Sequence, residues 1–598
     1  QHSQHARANR LIEDASLSAG KSSFGGVDTT VTEDLELIQK GLDGFEFSAK
    51  PVAVIGVEPL IQPLVMSTNG RIQVFNPAYH VETNGWFNAF TDVRNFKEWG
   101  HWSGRGMNWN VQCAWCHMTD FKKNYNPKTD AYDSTWKAMA ISCSQCHGDL
   151  SEHAAHPEAV PGKKYDRGIA DQNCMSCHAR RGFISAEKFK AGESFHDHFE
   201  LSLMDRPRVY YPDGQVRDEN FETGSYISSK MYDAGVSCLE CHNPHSGELT
   251  LPVQNNALCM SCHTAPGRMG ATPIMPTEHS HHGVDSTGNR CVECHMPETK
   301  YMQSDLRRDH GFTVPDPLMT RTLGIPNACN RCHTEESQEW AENWAEKWYG
   351  EKLAARRTRP RAQAIQDAWE GRENLGPVLL NLAQTESNIN WRASLIRLLG
   401  NYITDTKVRE FVQKSLNHEH ELVRAAAVHA LAAYPVFYPQ LTRLRKDPSR
   451  LVRVNAAWVT RDSGELSPEV TAELEEWLRF NSDQPAGALN RAQMALSREN
   501  PEEVEQWVKR LLVYDGSAEP HRIGGRLLHA AGMTEEAGEL YEKAVILEPE
   551  SEQGWYVLAM LRNELGNLEG AMDGFRRVVL LNPNNSRAWY NLGLAHIQ

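Results

Sequence analysis

Fourteen cysteines fall into seven Cys-x-x-Cys-His units with none left over. In chain order they are Cys113, Cys116 and His117; Cys143, Cys146 and His147; Cys174, Cys177 and His178; and Cys238, Cys241 and His242. The last three are Cys259, Cys262 and His263; Cys291, Cys294 and His295; and Cys329, Cys332 and His333. Two thiols three residues apart can each add to one vinyl group of a haem, and the next residue then lies under the iron as its proximal ligand. The spacing therefore predicts seven covalently attached haems c. Zinc sites need four ligands, and seven units would leave one unpaired. Redox-active disulfides do not require a histidine after every second cysteine, and secreted disulfide scaffolds are short chains. Histidine is 26 of 598 residues, so seven such histidines would arise by accident on the order of once in 10⁹.

An iron held by two histidines is coordinatively saturated and suited to electron transfer, whereas an open sixth position can bind substrate. Of the nineteen other histidines, eleven lie between His80 and His310, a far higher density than in the C-terminal half. His198 is a distal candidate in this stretch. One of His279, His281 and His282, represented by His282, is expected to serve as another. Met118 and Met296 follow their motifs directly, and that adjacency suits them to packing better than to ligation.

These residues need elements to position them. Residues 1–100 have no cysteine and read as partly β, with Pro63 to Phe75 forming two strands joined at Asn69-Gly70. Residues 101–335 hold every motif and are rich in Gly, Pro, Asn and His with few periodic runs, as expected where haems replace regular elements as packing units. Helix formers dominate after Glu335. Over 336–515, Trp391-Arg392-Ala393, Val423-Arg424-Ala425 and Val452-Arg453-Val454 recur at spacings of 32 and 29 and lead into apolar helical stretches, as in HEAT-type hairpins. Over 516–598 the period is 34, with Gly532, Ala537, Tyr541, Pro549 and Trp555 answered by Gly566, Ala571, Phe575, Pro583 and Trp589. That is a tetratricopeptide pattern. The expected fold is mainly α: an N-terminal part with some β, a loop-rich heptahaem domain, and a C-terminal α-solenoid, HEAT-like and then tetratricopeptide. Such repeats bury their faces on their neighbours, and they serve either as a plain scaffold or as a surface for a protein partner or self-association.

The formal charge of −15, made more negative by haem propionates, disfavours nucleic acid and anionic membranes and suits a basic or neutral redox partner protein. No stretch approaches the ~20 apolar residues of a transmembrane helix. Residues 1–20 are polar and lack the apolar centre of a signal peptide. Covalent haem attachment occurs outside the bacterial cytoplasm, so a periplasmic or extracellular location is expected.

The chain resembles the multihaem c-type cytochromes with C-terminal tetratricopeptide repeats, related in their haem region to the tetrahaem cytochrome c of nitrifiers and to multihaem reductases. The resemblance rests on His101-Trp102-Ser103-Gly104-Arg105, Asn124-Tyr125-Asn126-Pro127 and Cys238 to His245. It continues through Cys291 to Pro297, Arg307-Arg308-Asp309-His310 and Pro326-Asn327-Ala328-Cys329. It implies His101, His153, His245 and His310 as distal ligands, and His5 from a Ser-x-His position. His245 follows its own motif by three residues, too close for the opposite face of that haem, so it is expected to reach a neighbouring one. Members usually carry one further motif before the segment that Gln1-His2-Ser3-Gln4-His5-Ala6 resembles, and Gln598 falls inside what should be the first helix of another repeat. Both ends are therefore expected to be cut, with eight haems in the intact protein.

Three functions are compatible with these residues. One is an electron-transfer cytochrome. The second is a reductase or oxidoreductase of a small nitrogen or sulfur compound at one open haem, with Arg105, Tyr210, Tyr211 or Arg308 beside it. No motif here has the lysine that marks the pentahaem nitrite reductases. The third is an assembly module that docks to a complex or to copies of itself through the repeats.

Overall fold

The structure is a computed structural model that describes residues 3–41, 44, 46–159, 165–219 and 221–597. The chain forms two compact units, one of residues 1–9, 116–120 and 137–477, the other of residues 10–115, 121–136 and 478–598.

The second of these units opens with β structure. Gly20–Phe24, Val27–Val31, Leu37–Lys40 and Glu46–Ala49 form an antiparallel meander. The expected hairpin is present: Leu60–Met66 pairs with Ile72–Val74, Met66 standing opposite Ile72. Asn69 and Gly70 both have positive φ (58° and 71°), and Arg71 N donates to the Thr68 carbonyl at 3.2 Å. The strands are joined by the five-residue connection 67–71, closed by Ser67 N donating to the Arg71 carbonyl at 2.8 Å, with Asn69 and Gly70 supplying its left-handed positions. A side chain at Gly70 would also run into the Tyr132 carbonyl oxygen. Val65, Phe75, Tyr79, Trp86 and Trp102 fill the core between the strands. Phe47 and Phe75 meet Trp102 edge-on at 4.6 and 4.9 Å, and its indole Nε1 donates to Gln39 Oε1 at 2.7 Å.

The same unit carries the 34-residue repeats. Helices Thr534–Leu547 and Glu552–Glu564 are answered by Leu568–Leu581 and Ser586–Ile597. Gly532 and Gly566 take left-handed φ (81° and 76°) between helices, where a side chain would be strained. Ala537 and Ala571 are fully buried beneath Tyr541 and Phe575. Trp555 and Trp589 each donate to the carbonyl of the proline six residues earlier, Pro549 and Pro583, at 2.9 Å. Lys123 is buried against Asp483, which also accepts from Tyr132 Oη at 2.9 Å.

In the other unit the first repeat type is explicit. Trp391, Val423 and Val452 each occupy the third position of a helix, in Ile389–Leu399, Glu421–Leu431 and Arg450–Val459, and all three are buried. The arginine after each of the last two clamps forward, Arg424 to Asp447 at 2.8 Å and Arg453 to Glu473. This array is also a bed for part of the motif region. Asn388 Nδ2 donates to the Ile227 carbonyl (2.8 Å), Asn390 Nδ2 to Ser228 Oγ (2.7 Å), and Arg450 N to Asp197 Oδ1 (2.7 Å).

Glu200, on the short strand Phe199–Leu201, ties this bed together through His429 at 2.9 Å and Arg397 at 3.9 Å. Burial opposes its charge, but the His429 hydrogen bond and the nearby arginines outweigh burial and pull its pKa down from 4.5 to about 2. A carboxylate whose pKa is lowered on folding stabilises above its unfolded pKa and loses that contribution as pH falls through the folded one. Glu200→Gln is expected to cost about 3 kcal/mol at pH 7. The gap to the native protein, measured by denaturant midpoints, should shrink by about half at pH 3.

Candidate haem sites

Each motif lies on or at the end of a short helix: Ala114–His117, Cys143–His147, Arg167–Met175, Cys238–Cys241, Ala257–His263, Cys291–His295 and Cys329–Cys332. Three motifs lie wholly within their helices, Cys143–His147, Ala257–His263 and Cys291–His295; there residues i, i+3 and i+4 share one face, which turns both thiols and the imidazole toward the same side. The segments between are tight turns and two-stranded ribbons such as Arg181–Phe183 with Phe199–Leu201.

Five motif histidines face a second histidine. The ring centroids are 6.1 Å apart for His178 and His5, 6.1 Å for His147 and His245, and 6.2 Å for His242 and His310. For His295 and His279 the distance is 5.9 Å, and for His333 and His282 it is 6.1 Å. Metal–imidazole bonds of about 2 Å on each side, plus roughly 1 Å from nitrogen to ring centre, place two axial imidazoles about 6 Å apart. The spacing is that of an iron between two rings. In four histidines of this region the second ring nitrogen also has a place. Nδ1 lies against a backbone carbonyl in His263 (Thr272, 2.9 Å), His295 (Thr313, 2.8 Å), His310 (Arg308, 2.9 Å) and His282 (Ser280, 2.6 Å). A proton held there leaves the Nε2 lone pair for a metal. These residues fit haem iron. Among the described residues, no three His, Cys, Asp or Glu side chains gather as they would around a bare metal ion.

The motifs are also locked to one another. Asp171 Oδ1 accepts from Ser237 Oγ (2.7 Å) and Cys238 N (3.0 Å), while Asn256 Oδ1 accepts from Cys291 N (2.9 Å). In both cases the residue three before one motif holds the first N–H of the next motif's helix, a donor that the helix itself leaves unsatisfied. The Cys174 thiol reaches that of Cys238, Cys259 reaches Cys291, and Cys177 reaches Cys116. Cys146 is within electrostatic reach of Cys177 and Cys174, Cys241 of Cys262, and Cys294 of Cys329 and Cys332.

Of the distal candidates, His5, His245, His282 and His310 stand in four of the five pairs. His279 stands in the other, so two of the three clustered histidines face motif histidines where one was expected. His281 instead stacks on Trp348 at 4.2 Å. The signal for His279 was the cluster itself, three histidines in four residues lying before two motifs. His198 has Nε2 on Glu193 (3.0 Å) and Nδ1 at the Glu187 carbonyl (3.3 Å). His101 has Nδ1 on Ser103 Oγ at 2.7 Å and its ring beside Phe96 and Trp102. His153 lies on the helix Ser151–Ala155. The five pairs leave His117 and His263.

The groups considered for an open haem are engaged elsewhere. Arg105 is buried on Asp130 and Tyr132, with its guanidinium over the Tyr514 ring. Arg308 binds Glu293 and Glu298, both at 3.0 Å. Tyr210 is fully buried, and Tyr211 packs at the Met319–Ile325 cluster. Met118 is buried in a strand.

The sequence matches the cytochrome c552 family over residues 277–373 and the doubled CXXCH motif over 231–267, which together contain four of the seven motifs. It matches HEAT repeats over 376–458 and the tetratricopeptide repeat over 528–595. The multiheme cytochrome MtrA of Shewanella baltica (strain OS185) is 27% identical over 190 residues, covering 27% of this chain and 54% of that protein. The chain is similar to multihaem c-type cytochromes. It spans about half the length of this curated relative. A solved structure, the outer cell wall cytochrome OcwA, aligns at a TM-score of 0.37 and 15% identity, covering 64% of this chain and 87% of that one. The chain thus joins haem-binding motifs to HEAT and tetratricopeptide repeats.

Proposed function

We propose that this chain carries electrons along a branched row of seven haems outside the cytoplasm. The facing histidine pairs carry the reading, because bis-histidine iron exchanges electrons without binding a substrate. The cysteine neighbourhoods support an order in which the first site contacts the third, the second lies near the third, and the row then runs through the fourth, fifth, sixth and seventh. Haem supplies the redox chemistry. The chain's own residues would hold it: the motif cysteines covalently, and the paired histidines through the iron, with Nδ1 of His282, His295 and His310 held by backbone carbonyls and that of His178 by Glu222. No helix among the described residues is long and apolar enough to cross a membrane. The HEAT-type helices support residues 197–233, and the tetratricopeptide helices are the part available to a redox partner or to further copies.

A second reading rests on His117 and His263, which stand outside the five pairs. One open iron there would suit reduction of a small nitrogen or sulfur compound. Electron paramagnetic resonance of the oxidised holoprotein separates the two. We expect at least five low-spin irons per chain, and fewer would overturn the pairing. A high-spin signal of one or two irons that responds to nitrite, hydroxylamine or sulfite would move the assignment to the reductase.

A further inference from the structure

His178 differs from the other motif histidines in two respects. Its Nδ1 meets a carboxylate, Glu222 Oε2 at 3.4 Å, where His263 and His295 meet backbone carbonyls. Its ring plane is also turned 74° from that of His5, whereas the other four pairs lie between 12° and 40°.

The backbone is strained to bring the carboxylate there. Phe221 and Glu222 are consecutive non-glycine residues with φ of 57° and 67°, a conformation that costs of order 1–3 kcal/mol for each residue. The next residue anchors the turn on the same histidine, Thr223 N donating to the His178 carbonyl at 3.0 Å with Thr223 Oγ1 on the same oxygen. The strain has a visible product: a carboxylate held at a ligand's outer nitrogen. The site is also the junction of the row, since Cys177 reaches Cys116, Cys174 reaches Cys238, and Cys146 lies near both.

We propose that Glu222 is a positioning residue that makes the iron between His5 and His178 the lowest-potential site of the row. A carboxylate at Nδ1–H draws the proton toward itself and makes the imidazole a stronger donor. A stronger donor and a nearby negative charge both favour iron(III) over iron(II). One electron passes between neighbouring irons, the first oxidised as the second is reduced, and no proton or bond is exchanged. The junction then acts as a step between the arms entering from the first and second motifs and the run from the fourth to the seventh. Electrons cross it without resting on it.

This inference rests on the histidine pairing proposed above, and the crossed planes supply the means of testing both. Crossed axial imidazoles leave two iron d orbitals nearly equal in energy, which gives a more anisotropic ferric signal than near-parallel ones. Potentiometric titration of the holoprotein, followed at that signal, is compared for the native protein, Glu222→Gln and Glu222→Asp, with haem content checked by mass. We expect Glu222→Gln to shift that iron about tenfold toward reduction, 59 mV for one electron, with the other signals unmoved and Glu222→Asp intermediate. Should Glu222→Gln lose haem, Glu222→Asp carries the comparison. An unmoved midpoint, or an equal shift of every signal, overturns the assignment to Glu222 while leaving the pairing intact. Absence of the anisotropic signal from the native protein overturns the His5–His178 pairing and this inference with it.

Discussion

Replacing His245 by alanine is expected to convert the iron attached at Cys143 and Cys146 from low-spin to high-spin and to add one carbon monoxide site per chain in the reduced protein. His245 and His147 lie nearly parallel, 12° between planes and 6.1 Å between centres. His245 supplies the imidazole that faces that motif's histidine, and Tyr165 also stacks on His147 at 5.6 Å. Its backbone N donates to Asn243 Oδ1 at 3.0 Å, so the turn that presents it does not depend on its ring. The tetrapeptide His242-Asn243-Pro244-His245 serves two sites, since His242 faces His310 and His245 faces His147. The substitution should therefore leave the His242 site low-spin. Free imidazole added to the variant should restore the low-spin spectrum, as expected for a vacated position next to an intact haem. A variant that remains fully low-spin would remove His245 from the ligand set.

The second large effect concerns stability. Lys123 Nζ lies 2.9 Å from Asp483 Oδ2, with 5% and 0% of the two side chains exposed. Burial lowers the Lys123 pKa, opposed by the neighbouring carboxylate. Removing one member of such a pair strands a buried charge, and Tyr132 would lose its acceptor as well. Asp483→Ala should cost about 3–5 kcal/mol, read from denaturant unfolding followed by helix circular dichroism. Replacing both partners with apolar residues, Lys123→Met with Asp483→Leu, should recover most of that loss, because neither desolvated charge then remains. A single-variant cost below about 1 kcal/mol would mean that water reaches the pair.

The covalent chemistry was legible from local spacing because attachment is a local problem: Cys, Cys and His within one short motif. The 34-residue period was legible for a similar reason. Gly532, Ala537 and Tyr541 each meet a requirement set within their own hairpin. So do Asn69 and Gly70 in the turn between strands. Facing histidines are a different kind of object. His5 and His178, or His242 and His310, share nothing in sequence, and a lone histidine has no local signature for what lies across from it. His198 shows the difficulty. It sits in the right region with the right chemistry, yet Glu193 and the Glu187 carbonyl take both its nitrogens. Glu222 was invisible for the same reason, since nothing in its neighbours indicates that two left-handed residues turn it onto His178.

The histidine pairs also bear on how a region with so few long elements stays folded. On the proposed ligation each iron is a cross-link, covalent to one motif and coordinated by a residue elsewhere, closing loops from about 15 residues (His279 to His295) to about 170 (His5 to His178). Closing a loop of about 100 residues, near the separation of His147 and His245, removes on the order of 4–5 kcal/mol of chain entropy from the unfolded state. Longer loops add little more, because the dependence on length is logarithmic. Several such closures nested along one stretch restrict the denatured chain more than its modest side-chain core could stabilise the native one. On that ligation, stability in this region depends on the bonds between iron and imidazole. The apoprotein should behave there as a largely unconstrained polymer, while the repeats remain folded.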